Sequence, residues 1–156
     1  MAPKLQRTRW MAARVADLMR ADFIVLRQEE VEYAADRLMR LARVRHLPVV
    51  EGGRLVGVLS HRDLRDAVVA RLELAVPSER QRMLLSQPVH GLMRTDVIAV
   101  EPDCPLARAA ELMLCYGIGF LPVVERNGSG DRLVGILTES DLLRAAYGSS
   151  SASAPG

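Results

Sequence analysis

The sequence predicts an α/β (α+β) fold built from two tandem β-α-β-β-α repeats that pack with pseudo-two-fold symmetry. Three observations carry this expectation: an internal repeat at nearly constant spacing, short apolar strands alternating with helical stripes, and a composition suited to a packed core. Hydrophobic residues make up 49% of the 156 and charged residues 26%, which excludes disorder as the main state. No run approaches 18 apolar residues, so a spanning helix is excluded. The opening MAPKLQRTRWMAARVADLMR lacks the apolar core of a secretory signal, and the expected location is cytoplasmic.

The repeat is read directly from the residues. Val15-Ala-Asp-Leu-Met-Arg20 recurs as Val89-His-Gly-Leu-Met-Arg94, Asp22-Phe-Ile24 as Asp96-Val-Ile98, and Leu47-Pro-Val-Val-Glu51 as Leu121-Pro-Val-Val-Glu125, each 74 residues on. The spacing then becomes 78, with Arg54-Leu-Val-Gly57 matched by Arg132-Leu-Val-Gly135 and Asp63-Leu64 by Asp141-Leu142. A four-residue insertion separates the copies. It falls where the first copy has Gly52-Gly53 and the second has residues 126–131, and so reads as a longer hairpin loop. The expected organisation is a basic arm 1–14, repeat one 15–69, a helical linker 70–88, repeat two 89–147 and a flexible tail 148–156.

Each element follows from local pattern. A short strand, Ile24–Leu26 or Val97–Val100, leads into a helix. That helix carries Val31, Ala35, Leu38 and Ala42 in the first copy and Leu106, Ala109, Met113 and Tyr116 in the second. Asp103 is the expected N-cap ahead of Pro105, and Gly117 the expected stop. Strands Leu47–Val50 and Arg54–Leu59 join at Gly52-Gly53, a hairpin signal; Leu121–Val124 and Arg132–Leu137 repeat them. A last helix opens after Ser60 and after Thr138, with Leu64, Ala67, Val68, Leu72 and Ala75 on one face. Pro77 ends it in the first copy, and Ser78-Glu-Arg-Gln81 has the form of a capping box. Each repeat is too small to cover its own apolar face, so the two are expected to form one body.

Charge is uneven. Lys4, Arg7, Arg9 and Arg14 stand in the first 14 residues without an acid, leaving 17 basic against 19 acidic residues elsewhere. A near-neutral body offers no broad footprint for nucleic acid. The arm reads first as a solvated or frayed end; contact with an acidic partner, an anionic membrane or a nucleotide is the alternative. Trp10 is either an anchor for this arm or a residue packing on the body. Cys104 and Cys115 lie eleven residues apart on one expected helix, about 16 Å along its axis. That is too far for a disulfide, and both read as buried structural thiols.

The most informative pattern is Gly57-Val-Leu-Ser60-His-Arg-Asp63 with its echo Gly135-Ile-Leu-Thr138-Glu-Ser-Asp141. A strand ends in a hydroxyl residue that opens a helix, and a carboxylate follows three positions on. One reading is a helix cap. The other is a ligand site, in which helix amides aimed outward meet a phosphate and the carboxylate accepts both hydroxyls of a ribose. No activated nucleophile, metal cluster or acid–base pair stands out, so a binding module is expected rather than an enzyme.

Taken in order and in duplicate, Leu-Met at 18–19 and 92–93, Leu-Pro-Val-Val at 47–50 and 121–124, and the Gly-h-Leu-[ST]-x-x-Asp-Leu endings make residues 15–148 resemble a tandem pair of CBS domains. The resemblance implies two clefts between paired sheets that bind AMP, ADP, ATP or S-adenosylmethionine as regulatory ligands. It implies that Ser60 and Thr138 meet phosphate or ribose while Asp63 and Asp141 bind the ribose hydroxyls. It sets adenine against Phe23, Ile24, Leu47 and Pro48 in one repeat, and against Val97, Ile98, Leu121 and Pro122 in the other. Thr95 stands where family members place a hydroxyl near the ligand. Repeat one has Arg45, His46, His61 and Arg62 where repeat two has Gly119, Phe120, Glu139 and Ser140; Arg62 and His61 at the helix start favour a phosphate and Glu139 repels one, so phosphate should prefer the Ser60–Asp63 site. A homodimer through the helices and an unidentified effector protein are the implied partners. The alternative is an interaction or dimerisation module with non-functional nucleotide sites.

Overall fold

The structure, a computed structural model, describes residues 10, 12–30, 32–74 and 88–147. Val31, Ala75, Pro77, the Ser78–Gln81 box, most of the basic arm and the 148–156 tail lie outside the described residues, as do the side chains of Val68 and Leu72. Contacts divide the chain into two compact units, one of residues 22–98 and 126–133, the other of residues 1–21, 99–125 and 134–156.

In the first unit the strand β1 (Leu26–Arg27) lies parallel to β2 (His46–Glu51), which pairs antiparallel with β3 (Arg54–Ser60). Gly52 and Gly53 turn the hairpin at φ of 56° and 79°, the left-handed geometry that a two-residue loop of this kind requires. Helix α1 (Glu32–Ala42) buries Ala35 and Met39, and α2 (His61–Leu74) buries Leu64, against Leu26, Leu47, Val49 and Leu59. The unit is completed by a later segment. Val89, fully buried, starts a 3-10 turn at Val89–Gly91, and its amide donates to the carbonyl of Glu30. Arg94 then forms a two-bond bridge with Val58 on β3, both bonds 2.9 Å.

The second unit repeats this construction. Helix α3 (Leu106–Tyr116) buries Leu106, Ala109 and Met113 and ends at Gly117, whose φ of 62° lets its amide reach the carbonyl of Met113. Strands β4 (Phe120–Asn127) and β5 (Gly130–Thr138) are hydrogen-bonded neighbours, and α4 (Glu139–Tyr147) follows. Here the completing segment comes from the front of the chain. Val15, fully buried, donates its amide to the carbonyl of Cys104, and Arg20 bridges Ile136 with bonds of 2.9 and 3.0 Å. The Val-x-x-Leu-Met-Arg segment that opens each sequence repeat is thus built onto the strand and helix of the other.

Several local expectations are corrected. Asp103 is not the N-cap of α3: Pro105 holds that position, and the first helical amide, of Leu106, donates to the carbonyl of Ala13. Tyr116 is exposed rather than part of the buried stripe. Cys104 is half-buried in the turn before α3, and Cys115 is an exposed free thiol. The first strand of each repeat is shorter than expected, with only Leu26–Arg27 paired in one and Val100, bridged to Val123, in the other. The four-residue insertion lengthens strands rather than a loop: β4 and β5 run on to a turn at residues 128–129, and Arg132 pairs with Arg54.

Candidate functional site

Ser60 ends β3 and Asp63 is the third residue of α2, so the strand-to-helix corner brings hydroxyl and carboxylate together. The Ser60 hydroxyl donates to Asp63 Oδ2 at 2.5 Å and accepts the Asp63 amide at 3.0 Å. The other end of the carboxylate belongs to Arg94: Nη2 donates to Oδ1 at 2.9 Å, and Nε lies 3.2 Å from each oxygen. Burial raises the Asp63 pKa, but hydrogen bonds from Arg94 and Ser60 and the Arg94 charge outweigh it, and the carboxyl sits below its ordinary range. Asp63 keeps 18% of its side chain exposed and Arg94 71%.

The twin corner is arranged differently. Asp141 accepts the Thr138 amide at 2.9 Å and the Thr138 hydroxyl at 2.7 Å, while its own amide reaches the Thr138 hydroxyl at 3.3 Å. This is a closed capping box. Only 8% of the Asp141 side chain is exposed, and Arg20 stands farther off, with Nε 3.6 Å from Oδ2.

The outward-facing helix amides expected for phosphate are partly taken. The His61 amide donates to the carbonyl of Arg45 and the Glu139 amide to that of Gly119, while the Asp63 and Asp141 amides are held by the hydroxyls. His61 and Arg62 are exposed but directed to other acids: His61 Nε2 is 4.0 Å from Asp36, and Arg62 Nε is 3.8 Å from Asp66. The cation that reaches Asp63 is Arg94, which sequence reasoning passed over although an arginine closes both Leu-Met-Arg copies.

The remaining candidates are distributed as follows. In the unit with Asp63, Phe23 and His46 are half-buried, Ile24 is exposed, and Leu47 and Pro48 are buried in the core. Thr95 (exposed), Val97 and Ile98 (half-buried) fall in this same unit rather than with Leu121 and Pro122. In the other unit Phe120, Leu121 and Pro122 are buried and Thr138 is half-buried. Among the described residues no group of three His, Cys, Asp or Glu could hold a metal ion, and no helix is long and apolar enough to cross a membrane.

Comparison with known proteins places this geometry. The family model of the CBS domain matches residues 15–70 and 89–148. A CBS domain-containing protein of Dictyostelium discoideum is 30% identical over 134 residues, 85% of this chain and 90% of that protein. A crystal structure of CBSX2 in complex with AMP is similar at a TM-score of 0.70 and 30% identity, covering 86% of this chain and 96% of the other. The CBS domain pair of protein MJ0100, in complex with 5'-methylthioadenosine and S-adenosyl-L-methionine, is similar at a TM-score of 0.72 and 25% identity, covering 87% and 97%. Relatives differ in length, and the chain spans from 90% down to 13% of the proteins it matches.

Proposed function

The chain belongs to the CBS-domain family as a tandem pair, and from that premise we propose that it is a regulatory module whose ligand is an adenine nucleotide. One observation carries the reading: Asp63 presents a partly exposed, ionised carboxylate at the head of α2, beside a hydroxyl and a cation. A carboxylate can accept both hydroxyls of a ribose, and an arginine beside it can pair with phosphate. Structural relatives bound to AMP and to S-adenosyl-L-methionine support an adenosine core. AMP, ADP and ATP are the leading ligands and S-adenosylmethionine the runner-up. Ser60, Asp63 and Arg94 form the primary site, and Phe23, Ile24 and Thr95, which belong to the same unit, are assigned to it. The Thr138–Asp141 site is secondary, because its carboxylate is buried, 8% exposed against 18% for Asp63, and one of its oxygens holds both cap bonds. The ligand acts as a cytoplasmic signal to an effector protein, by the difference in its affinity for two arrangements of the chain.

A second reading is favoured by exposed apolar side chains. Leu114 and Tyr116 on α3 and Leu143 and Tyr147 on α4 are all more than half exposed, and the two helices pack together. Such a face suits a homodimer. If both corners are helix caps alone, the module is an interaction domain without a ligand.

Thermal shift with AMP, ADP, ATP, S-adenosylmethionine and GMP separates the two readings. A ligand at 100 times its Kd stabilises by about 2.7 kcal/mol. Asp63→Ala should abolish most of the AMP shift while the protein stays folded. No shift with any adenosine compound would leave the interaction module as the function.

A further inference from the structure

We propose that Arg94 is a latch on Asp63 that selects for phosphate: it holds the carboxylate in the free protein, and a nucleotide lifts it onto its own phosphate. The inference rests on the reading of Asp63 as a ribose acceptor and adds the origin of its selectivity.

The geometry requires displacement. Arg94 engages both carboxylate oxygens, and the Ser60 hydroxyl takes a further position on Oδ2. A ribose diol can reach Asp63 only if the guanidinium leaves. Solvent limits the cost of leaving, since Arg94 is 71% exposed; its forked contact to a carboxylate only 18% exposed puts the pair at the upper end for such sites, about fivefold in an equilibrium constant. Arg94 also has little freedom to go far. Its backbone is tied to Val58 by two hydrogen bonds of 2.9 Å, so the released guanidinium swings on its side chain and stays beside the site.

Several of the groups at the head of α2 that could meet a phosphate are already engaged. The His61 and Asp63 amides at the head of α2 are used, and the Arg62 and His61 side chains face Asp66 and Asp36. A nucleotide therefore replaces one charge-assisted contact of Arg94 with another. A neutral nucleoside breaks the latch and restores nothing. The twin corner lacks this forked contact: Arg20 stands 3.6 Å from an oxygen already holding the Thr138 amide and hydroxyl, and Arg144 stands 3.8 Å from the other oxygen.

Calorimetry of the full chain with AMP and with adenosine tests the latch. Wild type should prefer AMP. Arg94→Met should cut the ratio of AMP to adenosine affinity by roughly tenfold or more, the worth of one hydrogen bond to a charged group, while adenosine itself stays unchanged or binds up to about fivefold tighter because no latch has to be broken. An unchanged ratio of the two affinities in the variant overturns the latch alone; a wild type that binds neither compound overturns the ribose reading and the latch with it. Nuclear magnetic resonance of the Arg94 Nε–H in wild type guards against a variant that fails to fold. AMP should move this resonance while keeping it protected, and adenosine should expose it to solvent. A resonance that saturating AMP leaves in place overturns the proposal.

Discussion

A β-carbon built on Gly57 would lie 2.6 Å from the Sδ of Met93 and 2.9 Å from the carbonyl oxygen of Arg94. The methionine tail can swing aside, but the carbonyl accepts the Val58 amide and cannot. At the twin position, Gly135, the same atoms of Met19 and Arg20 stand at 2.9 and 3.2 Å. Gly57→Ala should therefore destabilise by about 1–3 kcal/mol, the range for overpacked sites, and Gly135→Ala by less. Urea unfolding of both variants checks the order, and equal stability of Gly57→Ala and wild type would contradict it.

This close approach belongs to a feature that the residues alone do not disclose. The repeat spacing, 74 residues through β2 and 78 through β3, places these strands and their equivalents to within a few residues, because Gly52-Gly53 and Gly117 punctuate the chain and the apolar runs between them are short. It is silent on which repeat receives Val15 and which receives Val89. Both are fully buried, and two copies of one segment carry the same apolar face wherever they dock. The insertion misled for a related reason. Asn127-Gly-Ser-Gly130 has turn composition, yet Arg132 finds Arg54 as a strand partner, and pairing of that kind is not a local property. At the site, the hydroxyl and acid are three residues apart and visible together. Arg94 is 31 residues from Asp63, and only the bridge to Val58 brings it there.

The Thr138–Asp141 box predicts a coupled pair. Thr138→Ala removes the oxygen that accepts the Asp141 amide and should cost about 1 kcal/mol, within the range for lost N-caps. Asp141→Ala removes the acceptor of the Thr138 amide and hydroxyl. Because each change dismantles the same box, the double variant should lose less than the sum of the two, by about 0.5 kcal/mol or more. A double-mutant cycle in urea measures this, and strict additivity would show that the box is not a unit.

Asp63 should make stability pH-dependent only in acid. Its carboxyl lies below the ordinary 3.8 in the folded chain, where burial is outweighed by Arg94 and Ser60. The unfolded chain therefore takes up this proton first as pH falls, and the sign is fixed: the contribution is complete above about pH 4 and is lost as pH drops through the lowered folded value. Arg94 is mostly exposed, so the effect should be small and should shrink as salt is raised. A carboxyl titration by nuclear magnetic resonance reads the midpoint directly. It should fall below 3.8 in wild type and rise in Arg94→Met, and the stability gap between wild type and Asp63→Asn should narrow below pH 4. A wild-type midpoint at or above the ordinary value would mean that Arg94 does not hold Asp63 in solution.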